Sequence, residues 1–504
     1  MDTHAGTALL PKRLVRVMPP ATGRWRSGRT RAPHLALAGF ALVAPLLPAV
    51  PAGAVAGTCE GRPATILGTP GDDTLTGTNG DDVIVGLGGD DTISGLLGND
   101  VICGDEGTDR LAGLAGDDRI LGGFDSKAGG DVIWPGAGND YVDAGLDPLT
   151  RDDFSLPADT VLYSDLLGAG FPGGIRADLT PVGGMGTVAE PSGTDQIAVT
   201  EAMAVVGTRT ADVMIGSPYL DVLIGRGGAD RIDGAGGNDT LVSDFSNTDA
   251  DPATDAPDEI VGGPGMDWIR LGQAGGTARG GGDPDHLEVH PETAPAVLRG
   301  EAGWDEILVE AVDDVDVDGG GGSDNIFFRL ARSSRGMSVD GGGSRDLALL
   351  NVRKGGFAKG STITVDQGRG VLRTRARAGQ VRSLEVMAVF GKDERWRFRG
   401  TPGNDDLFLQ GGRSLEAVMR GGRDSVIGTR GPDVLDLGTG RGDFANGRQG
   451  NDTCLGAERV RSCENVRSSR SDRAAVDERG PFERLARGPR VVPRALVEHA
   501  GPER

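Results

Sequence analysis

Aromatic residues make up only 4% of the 504-residue chain, which also has just 5 histidines and 4 cysteines. That shortage of large apolar side chains excludes the usual aromatic-rich globular core. Long apolar runs are missing as well. The one candidate, LALAGFALVAPLLPAV from residue 35, is broken by Pro45 and Pro48 and is too short to span a membrane. There is no phosphate-binding P-loop and no G-x-S-x-G nucleophile elbow. GAGFPG at 168–173 fits a dinucleotide-binding pattern, but no helical pattern follows it. His286-Leu287-Glu288-Val289-His290 has the order H-x-E-x-H on a strand-like run, not the helical H-E-x-x-H of a zinc protease. Arg441-Gly442-Asp443, an adhesion-type tripeptide, is set aside as a chance match inside a repeat loop. No catalytic residue is assigned, and the expectation is a protein that is not an enzyme.

Positive charge is the third shortage. Lys and Arg number 52 against 74 Asp and Glu, for a net charge of −22. Residues 1–56 carry about +6 and 466–504 about +3, which leaves a body near −31. Such a body repels itself when compact unless cations neutralise it, and it disfavours nucleic acid.

The basic N-terminus holds Arg13, Arg16, Arg24, Arg26, Arg29 and Arg31, then the apolar run, then Ala54-Val55-Ala56. This order is that of a secretory signal peptide over 1–56, with the mature chain starting at Gly57 and no membrane span left after cleavage. A secreted, extracellular chain is expected. Four cysteines suit an oxidising compartment and allow three pairings. Cys454 with Cys463 is favoured: they lie nine apart at the inward position of the terminal register. Facing sheets about 10 Å apart are beyond disulfide reach, so the last turn must tighten. Cys59 with Cys103 follows by elimination, although their loops are expected on opposite edges.

What the chain has is glycine, 86 residues of it, more than twice the usual share of about 7%. From residue 68 it falls into six consecutive nonapeptides, GTPGDDTLT, GTNGDDVIV, GLGGDDTIS, GLLGNDVIC, GDEGTDRLA and GLAGDDRIL. Gly holds positions one and four, Asp position six and an aliphatic residue position eight. A fixed short period decides for a solenoid. The last three residues of each unit form a minimal strand whose middle side chain points inward, so Leu75, Ile84, Ile93, Ile102, Leu111 and Ile120 are the predicted core. One buried aliphatic side chain per nine residues cannot offset the cost of ordering the rest. Aspartates stacked one above another repel unless a cation lies between them, and an all-oxygen ligand set suits Ca²⁺ better than Mg²⁺.

These units resemble the RTX, or haemolysin-type calcium-binding, nonapeptide G-G-x-G-x-D-x-U-x. Here Thr, Leu or Asp often replaces the second glycine, so the match rests on positions one, four, six and eight. The resemblance implies an all-β fold, a parallel β-roll with two nonapeptides per turn, and Ca²⁺ held between a loop and the loop two units later. The ligand candidates in the first block, 57–143, are Asp73, Asp82, Asp91, Asp100, Asp109, Asp118, Asp131 and Asp140. A β-rich spacer is expected over 144–206. The second block, 207–350, offers Asp212, Asp221, Asp230, Asp239, Asp258, Asp267, Asp285, Asp305, Asp324 and Asp346. Another β-rich spacer, 351–399, places Arg373, Arg375 and Arg377 on one strand face, either to offset carboxylates or to bind an anionic cell-wall polysaccharide. The terminal block, 400–465, adds Asp405, Asp424, Asp433 and Asp452. The Arg- and Pro-rich tail from 466 has the composition of a disordered segment.

In the looser middle stretch, following the inward aliphatic residue rather than the Asp keeps the register. It leaves Gly276, Ala296, Val315 and Met337 where the second edge should carry ligands, so calcium is expected along one edge only. The function expected is calcium-ion binding coupled to folding. The alternatives are an adhesin or surface-layer spacer, or a relative of the family's enzymes and toxins with the repeats as carrier.

Overall fold

Each nonapeptide brings one inward side chain and one turn, so the chain can only bury its apolar residues by stacking. The computed structural model describes residues 57–124, 130–146, 159–163, 174–180, 184–199, 203–244, 256–289, 295–310, 314–329, 336–352, 357–374 and 378–467. The proposed signal peptide, the tail beyond 467, and Arg375 and Arg377 lie outside them. Across the described residues the chain alternates between two parallel sheets, forming an all-β solenoid with one 3₁₀ turn at Gln367–Arg369 and no α-helix. No helix among them is long and apolar enough to cross a membrane.

The first sheet is an unbroken parallel ladder. It starts at Thr74–Thr76 and Thr92–Leu97, and continues through Val132–Ala137, Thr160–Leu162, Met203–Val206 and Asp221–Ile224. It passes His286–Val289 and Val386–Phe390 and ends at Arg459–Arg461. The second sheet starts at Ile66–Leu67 and Val83–Gly88 and ends at Asn465–Arg467.

The intervals 144–206 and 351–399 lack nonapeptides but build rungs of the same solenoid. In each, the second sheet receives a three-stranded antiparallel meander. Arg176–Asp178, Met185–Ala189 and Thr194–Ala198 form the first, and Thr362–Asp366, Val371–Arg373 and Ala378–Arg382 the second. An odd number of strands restores the chain direction. The meanders therefore pair in parallel with the rungs on both sides, Tyr141–Leu146 and Val213–Ile215 for the first, Ser338–Asp340 and Arg395–Arg399 for the second.

The interior is the column of eighth-position side chains. Ile84, Ile102, Leu111, Ile120, Ile133, Val142, Met214, Leu223 and Leu241 are fully buried, with Ile93 and Ile232 nearly so, in one continuous cluster. Leu75, on the first full rung, is only partly buried. Strand lengths differ from the expected three residues. In the first block, where position two is left-handed, as at Leu87 (φ 83°) and Leu96 (φ 82°), the ladder carries on through the corner and the strand reaches six residues, as in Val83–Gly88 and Thr92–Leu97. Where a Thr or Ser occupies position two the strand stops at three, as in Thr74–Thr76 before Thr78 and Val213–Ile215 before Ser217. Replacing Ile232, which sits mid-stack, by Ala is expected to cost about 2–5 kcal/mol, the range for deleting a large aliphatic group from a closed core. Denaturant unfolding in saturating calcium measures it.

Both expected disulfides form. Cys454 is inward, while Cys463 lies past the last first-sheet rung, where Val460 and not Cys463 takes the inward place; the turn tightens to a Cα–Cα distance of 6.1 Å. Cys59 does not approach Cys103 across the roll. The hairpin of Thr58–Cys59 with Arg62–Pro63 lies on the outer face of the second sheet, packing Cys59 against Val85, Val101 and Cys103.

Candidate metal centre

The aspartates stand just before the strands, so parallel stacking sets them one above another in two files along the two edges of the roll. Each file is stitched by one repeated hydrogen bond. The backbone N–H of Asp73 donates to Oδ1 of Asp91 (2.7 Å), that of Asp91 to Asp109 (2.7 Å), that of Asp109 to Asp131 (2.7 Å) and that of Asp131 to Asp159 (2.8 Å). On the other edge Asp82 donates to Asp100, Asp100 to Asp118, Asp118 to Asp140 and Asp140 to Asp195. The pattern resumes from Asp212 to Asp230 to Asp258, and from Asp221 through Asp239, Asp267, Asp285, Asp305 and Asp324 to Asp346. In the terminal block it joins Asp405 to Asp424 and Asp424 to Asp443, and Asp433 to Asp452.

The second carboxylate oxygen is the one that defines the site. In fifteen of these residues, Asp91, Asp100, Asp109, Asp118, Asp140, Asp230, Asp239, Asp267, Asp285, Asp305, Asp324, Asp346, Asp424, Asp443 and Asp452, Oδ2 is buried with no hydrogen-bond partner. A buried unpartnered carboxylate oxygen is costly, and a repeated one points to a ligand. First-position glycines show what surrounds it. A β-carbon on Gly86, Gly95 or Gly104 would stand 2.2 Å from Oδ2 of Asp91, Asp100 or Asp109 and 2.7–3.0 Å from the carbonyl oxygen of Gly104, Gly113 or Gly122 on the next turn. These glycines are required by close approach, because the carboxylate oxygen and a carbonyl oxygen converge on the space a side chain would fill.

Among the described residues no group of three or more His, Cys, Asp or Glu side chains gathers around one point. A cation here would take one or two carboxylates and complete its shell from backbone carbonyls. That oxygen-only donor set fits a hard ion, and its loop geometry suits Ca²⁺ more than Mg²⁺.

The electrostatics agree. Burial, and after it neighbouring aspartates, pushes the carboxyl of Asp118 up to about 7, of Asp140, Asp239 and Asp285 to about 8, and of Asp230 to about 9. Asp82 goes the other way, held down chiefly by the Thr78 backbone N–H.

Six acidic residues of the files were not picked out by the nonapeptide pattern: Asp159, Asp195, Glu385, Asp443, Glu458 and Glu464. Each accepts the N–H of an acidic residue on the turn before it: Asp159 from Asp131, Asp195 from Asp140, Glu385 from Asp346, Asp443 from Asp424, Glu458 from Asp443 and Glu464 from Asp452. For the three aspartates the signal is Asp two residues before a buried aliphatic or Ala: Asp159 before Val161, Asp195 before Ile197, Asp443 before Ala445. In the middle stretch Asp258 pairs with Gly276, Gly276 with Ala296 and Ala296 with Val315, and the Asp316–Ser338 pairing carries Met337 to the same level. The second edge is thus bare of carboxylates there while the first runs on.

The other motifs resolve structurally. Leu287 is fully buried and inward; His286 lies outward, stacked on Trp268 and flanked by Glu288 and Glu306, while His290 lies outside the described residues. The strand expected to align three arginines ends at Arg373.

A two-sheet parallel solenoid with a file of buried carboxylates on its turns is an acidic β-roll. The model of the RTX calcium-binding nonapeptide repeat matches residues 67–102, 104–142, 124–147, 206–241 and 420–454, so the chain carries the repeat of this family in several copies. The matched segments stop at 241 and resume at 420, whereas the first-edge aspartate file runs on from Asp239 to Asp346 between them. No curated protein matches the chain.

Proposed function

We propose that this is a secreted, non-catalytic calcium-binding repeat protein whose folding is driven by Ca²⁺ held between stacked Gly/Asp loops. The observation that carries the reading is the file of buried Oδ2 atoms facing a carbonyl of the next turn. Bound calcium supplies positive charge and oxygen coordination at those points. The sixth-position aspartates and the first-position carbonyls would hold it. The chain's own hydrogen bonds set the other carboxylate oxygen, so that each ligand is oriented before an ion arrives. Two disulfides fit an oxidising, extracellular setting.

Equilibrium dialysis of the purified protein against millimolar calcium, followed by elemental analysis, tests the binding. About ten or more ions per chain are expected, retained in excess magnesium because Mg²⁺ gives up its water reluctantly. Fewer than two ions, or equal retention of magnesium, would be incompatible with the proposal.

A second reading, that the roll is a spacer holding an anionic cell-wall polysaccharide, is supported by an outward arginine group in the second meander and the rung above it. Arg373 and Arg397 flank Thr364 in one cross-strand row, with exposed Arg395 and Arg399 alongside. Co-sedimentation with purified cell-wall polymer, and its loss in an R373A/R395A/R397A variant, tests this reading separately from calcium binding.

A further inference from the structure

Asp195, at the end of a run, takes the Tyr163 hydroxyl on its Oδ2 (2.9 Å), and six further aspartates with a partnered Oδ2 share a different place in the fold. In Asp73, Asp82, Asp212, Asp221, Asp405 and Asp433 the Oδ2 accepts a backbone N–H from the residue four positions earlier. The donors are Thr69 (2.5 Å), Thr78 (2.7 Å), Thr208 (2.7 Å), Ser217 (2.6 Å), Thr401 (2.8 Å) and Thr429 (2.6 Å). The donor is a Thr or Ser every time, and its hydroxyl works too. Thr78, Thr208, Thr401 and Thr429 donate it to the same carboxylate. In five of the six loops it also accepts the N–H two residues on, from Gly80, Thr210, Tyr219, Gly403 and Gly431.

None of these six residues is left-handed. At the same position, loops such as those of Leu87, Leu96, Arg226 and Ala235 take φ of 66° to 86°. The two loop types are therefore different conformations, one closed on its own carboxylate and one opened toward the next turn.

The six also open the six runs of aspartate. Asp73 and Asp82 are the first in their files. Asp212 is preceded one turn earlier by Ile175, Asp221 by Met203, Asp405 by Glu385 and Asp433 by Leu415. Ile175, Met203 and Leu415 offer no carboxylate with which to share an ion, and Glu385 already accepts the Asp346 N–H on Oε2; a buried carboxylate in that place gains from donors of its own. The Thr or Ser loop supplies them.

We propose, resting on the calcium reading above, that these six aspartates are metal-free clamps that begin each run, and that calcium is held only from the following turn onward. Each run then starts on a turn whose Oδ2 is already hydrogen-bonded, although Oδ1 of Asp221 stays buried without a partner, and ion-dependent turns add to it.

Crystals of the full chain grown in calcium, with anomalous scattering recorded for that ion, test this. Calcium peaks are expected at Oδ2 of Asp91, Asp100, Asp230, Asp239 and Asp424. None is expected within coordination distance, about 2.3–2.6 Å, of Oδ2 in any of the six. An ion bound to Oδ2 of one of the six overturns the clamp while leaving calcium binding intact; no ion on any aspartate overturns both. In solution, Thr208→Val is expected to leave the number of ions per chain unchanged while lowering thermal stability at saturating calcium. Asp230→Asn is expected to lose at least one ion and raise the calcium midpoint several-fold. A Thr208→Val protein that loses ions as Asp230→Asn does would contradict the clamp.

Discussion

Moved from millimolar calcium into chelator near neutral pH, the chain is expected to lose most of its β-sheet circular dichroism and to recover it when calcium returns. The size of the effect follows from linkage. A site at a tenfold excess of free ion over its dissociation constant adds about 1.4 kcal/mol, and in a solenoid such terms sum along the stack. If only half of the fifteen sites with unpartnered oxygens were filled, the total would be on the order of 10 kcal/mol, as large as the whole stability of an ordinary domain. Removing the ions also leaves the files of carboxylates repelling one another with one oxygen each unpartnered. The disulfides do not rescue the fold, because Cys59–Cys103 and Cys454–Cys463 tie only the two ends of the roll. Far-ultraviolet circular dichroism with and without chelator checks this, with magnesium as the control ion.

In chelator, acidification is expected to restore part of the structure. Burial raises the file carboxyls above the unfolded value of about 3.9, to about 7 for Asp118, about 8 for Asp140 and Asp239, and about 9 for Asp230. The ion-free roll therefore binds protons more tightly than the unfolded chain does. Stability from these groups is fully present below the unfolded pKa and is lost as pH rises through the folded values, so most of the loss falls between about pH 4 and 9. In chelator the β-sheet ellipticity is expected to be larger at pH 5 than at pH 8, where the chain is largely unfolded. With calcium present the dependence reverses, since protons compete with the ion for the same oxygens. Ellipticity at the two pH values in chelator, and melting curves at the same values in calcium, check both signs. A chelator-treated protein that loses stability steadily from pH 8 to pH 5 would contradict the assignment of these carboxylates.

Much of the fold is legible in the sequence because one period carries both the strand and the turn. The inward column follows from position eight alone, even through the irregular loops where Ala278, Leu298, Val317 and Val339 keep the register and are all buried. The bare second edge follows from the same reading, since Gly276, Ala296, Val315 and Met337 sit two residues before those inward side chains. The two meanders are not legible that way. Their strands alternate like any half-buried β-strand, and nothing local says that three of them will replace one rung. Thr160–Leu162 joins the first sheet through one inward residue, Val161, and Val386–Phe390 through two, Met387 and Val389, too little for a repeat pattern to find.

The site was legible where Asp follows the full Gly loop and obscure where it does not. Asp443 looks like part of a chance tripeptide until its place above Asp424 is known. Glu385, Glu458 and Glu464 stand level with Asp346, Asp443 and Asp452 on the turn before, two residues ahead of Met387, Val460 and Val466, so the spacing is kept and only a pattern that asks for Asp passes over them. The split between closed Thr or Ser loops and left-handed loops was written in the second position all along. It becomes meaningful only once Oδ2 of Asp212 is seen to be satisfied and Oδ2 of Asp230 is not.

The central claim is that ion binding and folding are one process. The most direct test is to equilibrate identical samples at stepped free-calcium levels and measure bound calcium and β-sheet ellipticity in each. The account predicts that ellipticity and ions bound rise together in one cooperative transition, from a largely unfolded chain to the full β signal at saturation. A full β signal in chelator, with calcium later binding to an already folded roll, would contradict it.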